Sequence, residues 1–422
     1  MSPLQIKFLG GTREVGRAAI SVRTEKTQVL LDYGVMLNHE PGFPMHIPPK
    51  EVDAIILGHS HLDHSGAIPI FYIQGKKPVY ANRLTVELSQ LLISDFIHLS
   101  SYYLPYEYLE LRTMMRNVKH VDFGVKETVG DITFELRNAG HIPGSAQVLI
   151  EAEGRRLLYT GDFNLINTRL LEGAKIEDYG DLDAVIIEST YADEDHPERS
   201  ELEKSFVEEV TEVVERGGTA LVPAFSIGRS QEIACILAAY HFEHPVYLDG
   251  MAREASRMIM NHVKFLRDPK LFMEAIHSVN WVEGWRDRRK ATKMPCVIIS
   301  PAGMLKGGPA AFYISKIGKK ANNAVFLVSY QIPGTPGREL LERGICVIDG
   351  KVRKVKATVK HFDFSSHCGA KELKEAVNKI DGKAKFYVIH GAEGNCELLV
   401  KWIEKEAGFE AVAPRPGDIF KV

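Results

Sequence analysis

The chain has 422 residues, more than one hydrophobic core usually organises, so two domains are expected. Hydrophobic residues at 45%, charged residues at 25%, and 35 Gly and 20 Pro spread along the chain exclude a disordered or fibrous protein and fit an α/β globule. A net charge of -3 excludes an overall basic nucleic-acid binder and leaves any such surface to local patches.

At the N-terminus, MSPLQIKFLGG has no basic segment leading into an apolar run, and no stretch of the chain is long and apolar enough to span a bilayer. Five cysteines (Cys235, Cys296, Cys346, Cys368, Cys396) are scattered and form no CxxC pair, which argues against a disulfide framework or a structural zinc cluster. A reducing, cytoplasmic setting is the expectation.

Short β-branched runs alternate with longer helical patterns such as ERSELEKSFVEEVTEVVERGG, the mark of an α/β fold. Polar clusters sit where the runs end, in AIILGHSHLDHSG, LLYTGDFN, AVIIEST, TALVPAFSIGRSQE, CVIISPAGML and KFYVIHGAEG. Loops leaving buried strands are where such folds keep their chemistry. The densest cluster is His59-Ser60-His61-Leu62-Asp63-His64. Imidazole nitrogens and carboxylate oxygens suit zinc, and a strand-exit loop points alternate residues His59 and His61 one way. Asp63 and His64, after the chain turns, reach a neighbouring point, so that one loop serves two metals. The competing reading is a His-rich helix-capping turn.

Further along lie His141 in AGHIPGSA, Asp162 in YTGDFN and His390 in VIHGAEG. Each taken alone is more often a structural turn residue. All three follow strand-like runs and sit beside glycine, which lets backbone approach a metal or phosphate closely. The basic stretches RDRRKATK and KVRKVKATVK are an RNA track or solvated faces, and for at least one the solvated face is preferred. The tyrosines of SYYLPYEYLE are stacking groups or, more commonly, packing groups.

The succession HSHLDHSG, GHIPGS and TGDFN, preceded by GGTREVGRAAISV and LLDYG, resembles the metallo-β-lactamase hydrolases. IIESTY, PAFSIGRSQE, DGMARE, SPAGML, FSSHCGA and VIHGAEG resemble its β-CASP nucleases, which include ribonuclease J and the cleavage and polyadenylation specificity factor endonucleases. The archaeal homologues without N-terminal KH domains are the most similar, since the first strand begins within ten residues of Met1.

The resemblance implies an αββα sandwich with an inserted α/β cap: residues 1–194 as the first part of the metallo-β-lactamase domain, 195–355 as the β-CASP insert and 356–422 as the completion. A domain inside the chain also accounts for the long gap between Asp162 or Glu188 and His367 or His390.

It implies two zinc ions, one on His59, His61 and His141 and one on Asp63, His64 and His390, with Asp162 bridging them and Asp32 orienting the first ligands. A hydroxide activated by the two metals would attack phosphorus in RNA, in processing events such as mRNA 3′-end formation or in decay, leaving a 5′-phosphate. Asp63 is a further catalytic candidate, His367 the acid for the leaving oxygen, and Glu188 its orienting partner. His361 is read as a strand residue.

Arg229, Ser300, Gly303 and Ser365 resemble positions facing the RNA backbone, although Gly303 serves equally as a turn residue and Arg229 as an ion-pair partner of Glu232. Single-stranded RNA is the expected partner, a homodimer follows from resemblance only, and DNA cutting stays open. A small-molecule lactamase or thioesterase, and an inactive RNA-processing scaffold, are the rivals. The His367/Glu188 pair counts against the first and the full ligand set against the second.

Overall fold

A computed structural model describes residues 3–37, 40–100, 102–177, 179–348 and 350–422. The chain divides into two compact units. One is built from residues 1–167, 173–195 and 366–422, the other from 168–172 and 196–365. The changeovers thus fall at 195/196 and 365/366. The sequence reading places them at 194/195 and 355/356.

The first unit contains two seven-stranded sheets. One runs Ile419–Lys421, Gln5–Gly10, Ala19–Arg23, Gln28–Leu31, Ala54–Ile56, Val79–Ala81, Val118–His120. The other runs Ala411–Val412, Gly382–Ile389, Leu182–Glu188, Arg155–Tyr159, Ala146–Ala152, Ile132–Asn138, Lys126–Val129. Alternate side chains point to opposite faces of a strand, and here the two faces pack into different cores. Ile6, Phe8, Ile20, Ala54 and Ile56 from one sheet share a core with Phe134, Ile150, Leu157, Tyr159, Ile186 and Tyr387 from the other.

The intervening residues face outward onto helices. Leu30, Ile55 and Val79 pack with Val86 and Ile93 of the helix Arg83–Leu99. Leu158, Val185 and Phe386 pack with Leu373 and Leu399 of the helices Ala370–Asn378 and Glu393–Trp402. The unit is therefore a helix–sheet–sheet–helix sandwich, with the polar loops of the sequence analysis at strand ends.

In the second unit, six strands lie in the order Asn280–Trp281, Val246–Leu248, Cys296–Ser300, Thr219–Pro223, Ala324–Leu327, Thr358–His361. Every pairing is parallel. The central strands are continuous apolar runs, as expected for strands covered on both faces. The helix Gly308–Ile317 lays Ala310, Tyr313, Ile314 and Ile317 against Leu221, Ile298 and Val325. The basic stretch after Gly350 forms an exposed strand Lys351–Lys354, paired with Ile345–Ile348, followed by the edge strand Thr358–His361, at whose end His361 is exposed. All five cysteines are buried thiols. Among the described residues no helix is long and apolar enough to cross a membrane.

Candidate metal centre

The strand Ala54–Ile56 ends in Leu57 and Gly58, after which His59 and His61 project before the short helix Leu62–Ser65 carries Asp63 and His64. The segment Asp32–Val35 straps this helix in place. Tyr33 N–H donates to the His64 carbonyl (2.8 Å) and Val35 N–H to that of Leu62 (2.8 Å). The approach is close enough that a Cβ at Gly34 would lie 1.7 Å from the Asp63 carbonyl oxygen, so this position requires glycine.

Asp32, wholly buried, accepts three hydrogen bonds: from Gly58 N–H (2.7 Å), from the Tyr159 hydroxyl (2.7 Å) and from His64 Nδ1 (2.7 Å). With Nδ1 committed to a carboxylate, His64 turns the lone pair of Nε2 inward, the arrangement by which an outer carboxylate orients a metal-binding imidazole. His141 is fixed in the same way, its Nδ1 lying 2.9 Å from the Ser366 carbonyl. His390 enters from the end of the strand Gly382–Ile389 in a left-handed conformation (φ 48°), pinned by its own N–H to the Gly11 carbonyl (2.7 Å).

Asp162, in the turn after the strand Arg155–Tyr159, stands among these groups. Its Oδ2 lies 3.6 Å from His59 Nε2, 3.3 Å from His64 Nε2 and 3.8 Å from His141 Nε2, and its Oδ1 is 3.1 Å from His390 Nδ1. Asp63 Oδ2 lies 3.4 Å from His390 Nε2. Three sets of donor atoms result, each within 4.8 Å of one another: His59, His61, His141 and Asp162; Asp63, His64, Asp162 and His390; and Asp162, Glu188 and His367.

These donors suit divalent cations on two grounds. Among the described residues, His59 Nε2, His64 Nε2, His390 Nε2 and Asp162 Oδ1 are buried yet lack a hydrogen-bond partner, a costly arrangement unless a cation completes it. The protonation states agree. Burial pushes His59, His61 and His141 below the ordinary histidine value, leaving neutral imidazoles. Burial also opposes ionisation of Asp162, but His390 and His64 outweigh it and hold the carboxylate well below its usual range. Burial lowers His64 as well, while Asp162 and Asp32 raise it further, and the proton held there is the one a cation displaces.

Beside this cluster, His367 Nδ1 is 2.9 Å from each oxygen of Glu188. Glu188 is fixed by Phe163 N–H (2.9 Å) and the Thr190 hydroxyl (2.5 Å). Burial pulls His367 down, but the Glu188 carboxylate prevails and raises it to about 9. The rings of His367 and His141 are 4.5 Å apart between centroids.

The remaining candidates lie in the second unit, at or beyond the carboxyl ends of its strands. Arg229 begins the helix Arg229–Ala239, and Ser300 ends its strand with its hydroxyl on the Pro301 carbonyl (2.9 Å). Gly303 follows in the next turn, and Ser365 N–H meets Asp363 Oδ1 (3.3 Å). Glu232, weighed from sequence as a partner of Arg229, accepts from Arg169 N–H (3.0 Å) and Leu170 N–H (2.8 Å) and pairs with Arg199.

Sequence reasoning missed Tyr159, Thr190, Gly34 and the Ser366 carbonyl. Tyr159 alone left a trace, as the one polar-tipped side chain ending an aliphatic run directly before TGD.

Residues 13–205 match the profile of the Metallo-beta-lactamase superfamily, 230–340 the Beta-Casp domain, and 352–414 the Zn-dependent metallo-hydrolase RNA specificity domain. RNase aCSPSF2 of Saccharolobus solfataricus is 42% identical, over 98% of this chain and 84% of the relative. The chain belongs to the β-CASP ribonucleases of the metallo-β-lactamase superfamily. This β-CASP ribonuclease is also 35% identical to the probable RNase MJ4 of Methanocaldococcus jannaschii, over 99% of this chain and all of the relative. Transcription termination factor FttA of the same organism is 34% identical over 93% of the chain and 68% of that factor. A solved structure of an Enterococcus faecalis protein of unknown function superposes over 100% of both chains with a TM-score of 0.64 at 14% identity, a likeness of fold alone. The His/Asp cluster of the β-CASP ribonuclease is a divalent-metal site, and its family acts on RNA.

Proposed function

We propose that this chain hydrolyses phosphodiester bonds of single-stranded RNA, in processing or decay, with two zinc ions held by His59, His61, His141, Asp63, His64 and His390 and shared through Asp162. The observation that carries the reading is the position of Asp162, within 4 Å of four imidazoles, together with the Glu188–His367 pair beside it. The names of the relatives, two of them RNases, support RNA as substrate.

Bound zinc would supply Lewis acidity toward water and positive charge against the oxygens of the phosphate under attack. The chain's own groups do the rest. Asp63, on a side chain 28% exposed with Oδ2 3.4 Å from His390 Nε2, is assigned the proton of the attacking water. His367, held by Glu188 through Nδ1, presents Nε2 as the donor to the leaving 3′ oxygen, so that the downstream fragment keeps the phosphate on its 5′ end and the upstream one ends in a 3′-hydroxyl. Glu188 stabilises the imidazolium before transfer and fixes the ring. Arg229, Ser300, Gly303 and Ser365 are assigned to the RNA backbone. A cytoplasmic location and a homodimer complete the reading.

The Glu188–His367 pair also speaks against a lactamase or thioesterase, because ester cleavage needs no such additional acid. The test is digestion of one RNA labelled separately at its two ends, alongside zinc analysis. The wild type is expected to cut. Asp162→Ala should lose zinc and cutting together, and His367→Ala should keep zinc and lose rate. Hydrolysis of a chromogenic lactam or thioester with no RNA cutting would overturn the assignment.

A further inference from the structure

The stretch Trp285–Lys293 carries five cations (Arg286, Arg288, Arg289, Lys290, Lys293) against one carboxylate, Asp287, in a chain whose net charge is -3. These cations differ in their commitments. Arg288 is structural: its Nε and one terminal nitrogen donate to Asp249 (2.8 and 3.1 Å), a wholly buried carboxylate that also accepts from the Tyr313 hydroxyl (2.8 Å). Arg286, 95% exposed at its side chain, has its neighbour Asp287 at 3.8 Å as its one ion-pair partner among the described residues. Arg289 and Lys290 are exposed and have no ion pair among the described residues.

The same stretch opens with Trp285, 57% exposed. A large indole left in solvent is unusual, and this one is held in place. The Arg288 guanidinium lies 5.0 Å from the ring centroid, and Phe312 meets the ring edge-on at 5.2 Å with an interplanar angle of 86°. Lys316 lies over the Phe312 ring at 5.9 Å and adds another exposed cation. The buried Asp249 therefore anchors Arg288, and Arg288 steadies an exposed aromatic plane on the helix Trp285–Ala291 that also carries Arg286, Arg289 and Lys290. Proteins that hold single strands without reading their sequence combine these same elements, a stacking platform and cations that follow the backbone.

We infer that this face of the second unit is a single-stranded RNA contact, with a base stacked on Trp285 and flanking phosphates on Arg286, Arg289 and Lys290. Charge complementarity selects the occupant, since a polyanion with exposed π-faces satisfies both features of the surface. The inference rests on the ribonuclease reading and extends it by adding a substrate contact to the residues assigned above.

The test measures anisotropy of a labelled single-stranded RNA of about 20 nucleotides with the full chain in a His367→Ala background, and hydrolysis of bis(p-nitrophenyl) phosphate by the otherwise unaltered enzyme. Trp285→Ala should weaken RNA binding about tenfold, with Trp285→Phe retaining most of it. Replacing Arg286, Arg289 and Lys290 together by Ala should flatten the slope of log affinity against log salt by about 2. Turnover of the small phosphodiester should stay unchanged in all of them. Wild-type affinity and salt slope in these variants would overturn the inference, as would a change in sedimenting mass with RNA affinity intact, which gives the surface to a second copy of the chain. If the parent chain neither binds nor cuts RNA, the ribonuclease reading itself fails. If it does both and the Trp285 variants match it, only this inference fails.

Discussion

Asp32 and His64 are joined by a 2.7 Å hydrogen bond between carboxylate and Nδ1, in a position where neither side chain is more than 1% exposed. The bond dictates which imidazole nitrogen carries the proton and hence which faces the metal. Tyr159, reaching the same carboxylate from the facing sheet, removes the alternative in which Asp32 rotates away. Asp32→Asn should weaken metal affinity by about 10- to 100-fold, with Tyr159→Phe weakening it less. Titration against a competing chelator reads both, and unchanged affinity in Asp32→Asn would show that His64 needs no such partner.

Asp162 belongs to all three donor sets, two of them built on the clustered histidines, whereas His59 belongs to one. Asp162→Ala should therefore deplete both metals, while His59→Ala should leave about half the parent content. Elemental analysis of the purified variants decides it. Parent-level metal in Asp162→Ala contradicts the shared position.

His367 acts as an acid only while protonated, so the rate should fall as pH rises through its pKa. Glu188 is the main group holding that value up, at about 9 before metal binds. Cations on the adjoining groups pull it down, so the informative quantity is the difference between variants. Glu188→Gln removes the raising charge and should move the alkaline limb of kcat/KM to lower pH, with metal content intact. A limb that stays in place assigns the acid elsewhere.

Gly34 tolerates no side chain, because a Cβ there falls 1.7 Å from the Asp63 carbonyl. Gly34→Ala must push the strap off the helix Leu62–Ser65, costing about 3 kcal/mol. Denaturant unfolding measures the loss, and metal affinity should drop with it. Stability equal to the parent's would mean that the strap moves freely.

The densest part of the site was legible because its residues are neighbours: His59 to His64 advertise themselves within one turn. Their supports were not, since the Tyr159 bond to Asp32 and the Ser366 carbonyl under His141 join positions far apart in the chain, and a strand's sequence states its period, not its partner. The same limit explains the return from the second unit. Thr358–His361 reads as a short basic strand, and only its parallel pairing with Ala324–Leu327 attaches it to that unit's sheet. The inserted unit was inferable from the length of chain between Glu188 and His367. The role of Arg288 was not, because a cation locked on a buried carboxylate and one left in solvent look alike in a run of arginines.

The first unit is interrupted, its last segment, Ser366–Val422, arriving only after the whole insert has been made. That segment supplies His367, His390 and the carbonyl that aligns His141. A growing chain on the ribosome, with messenger RNA within reach, thus holds the HSHLDH loop long before it has the groups that finish the centre. Any fragment of the chain that stops before residue 366 therefore carries the HSHLDH loop without the groups that complete its cluster.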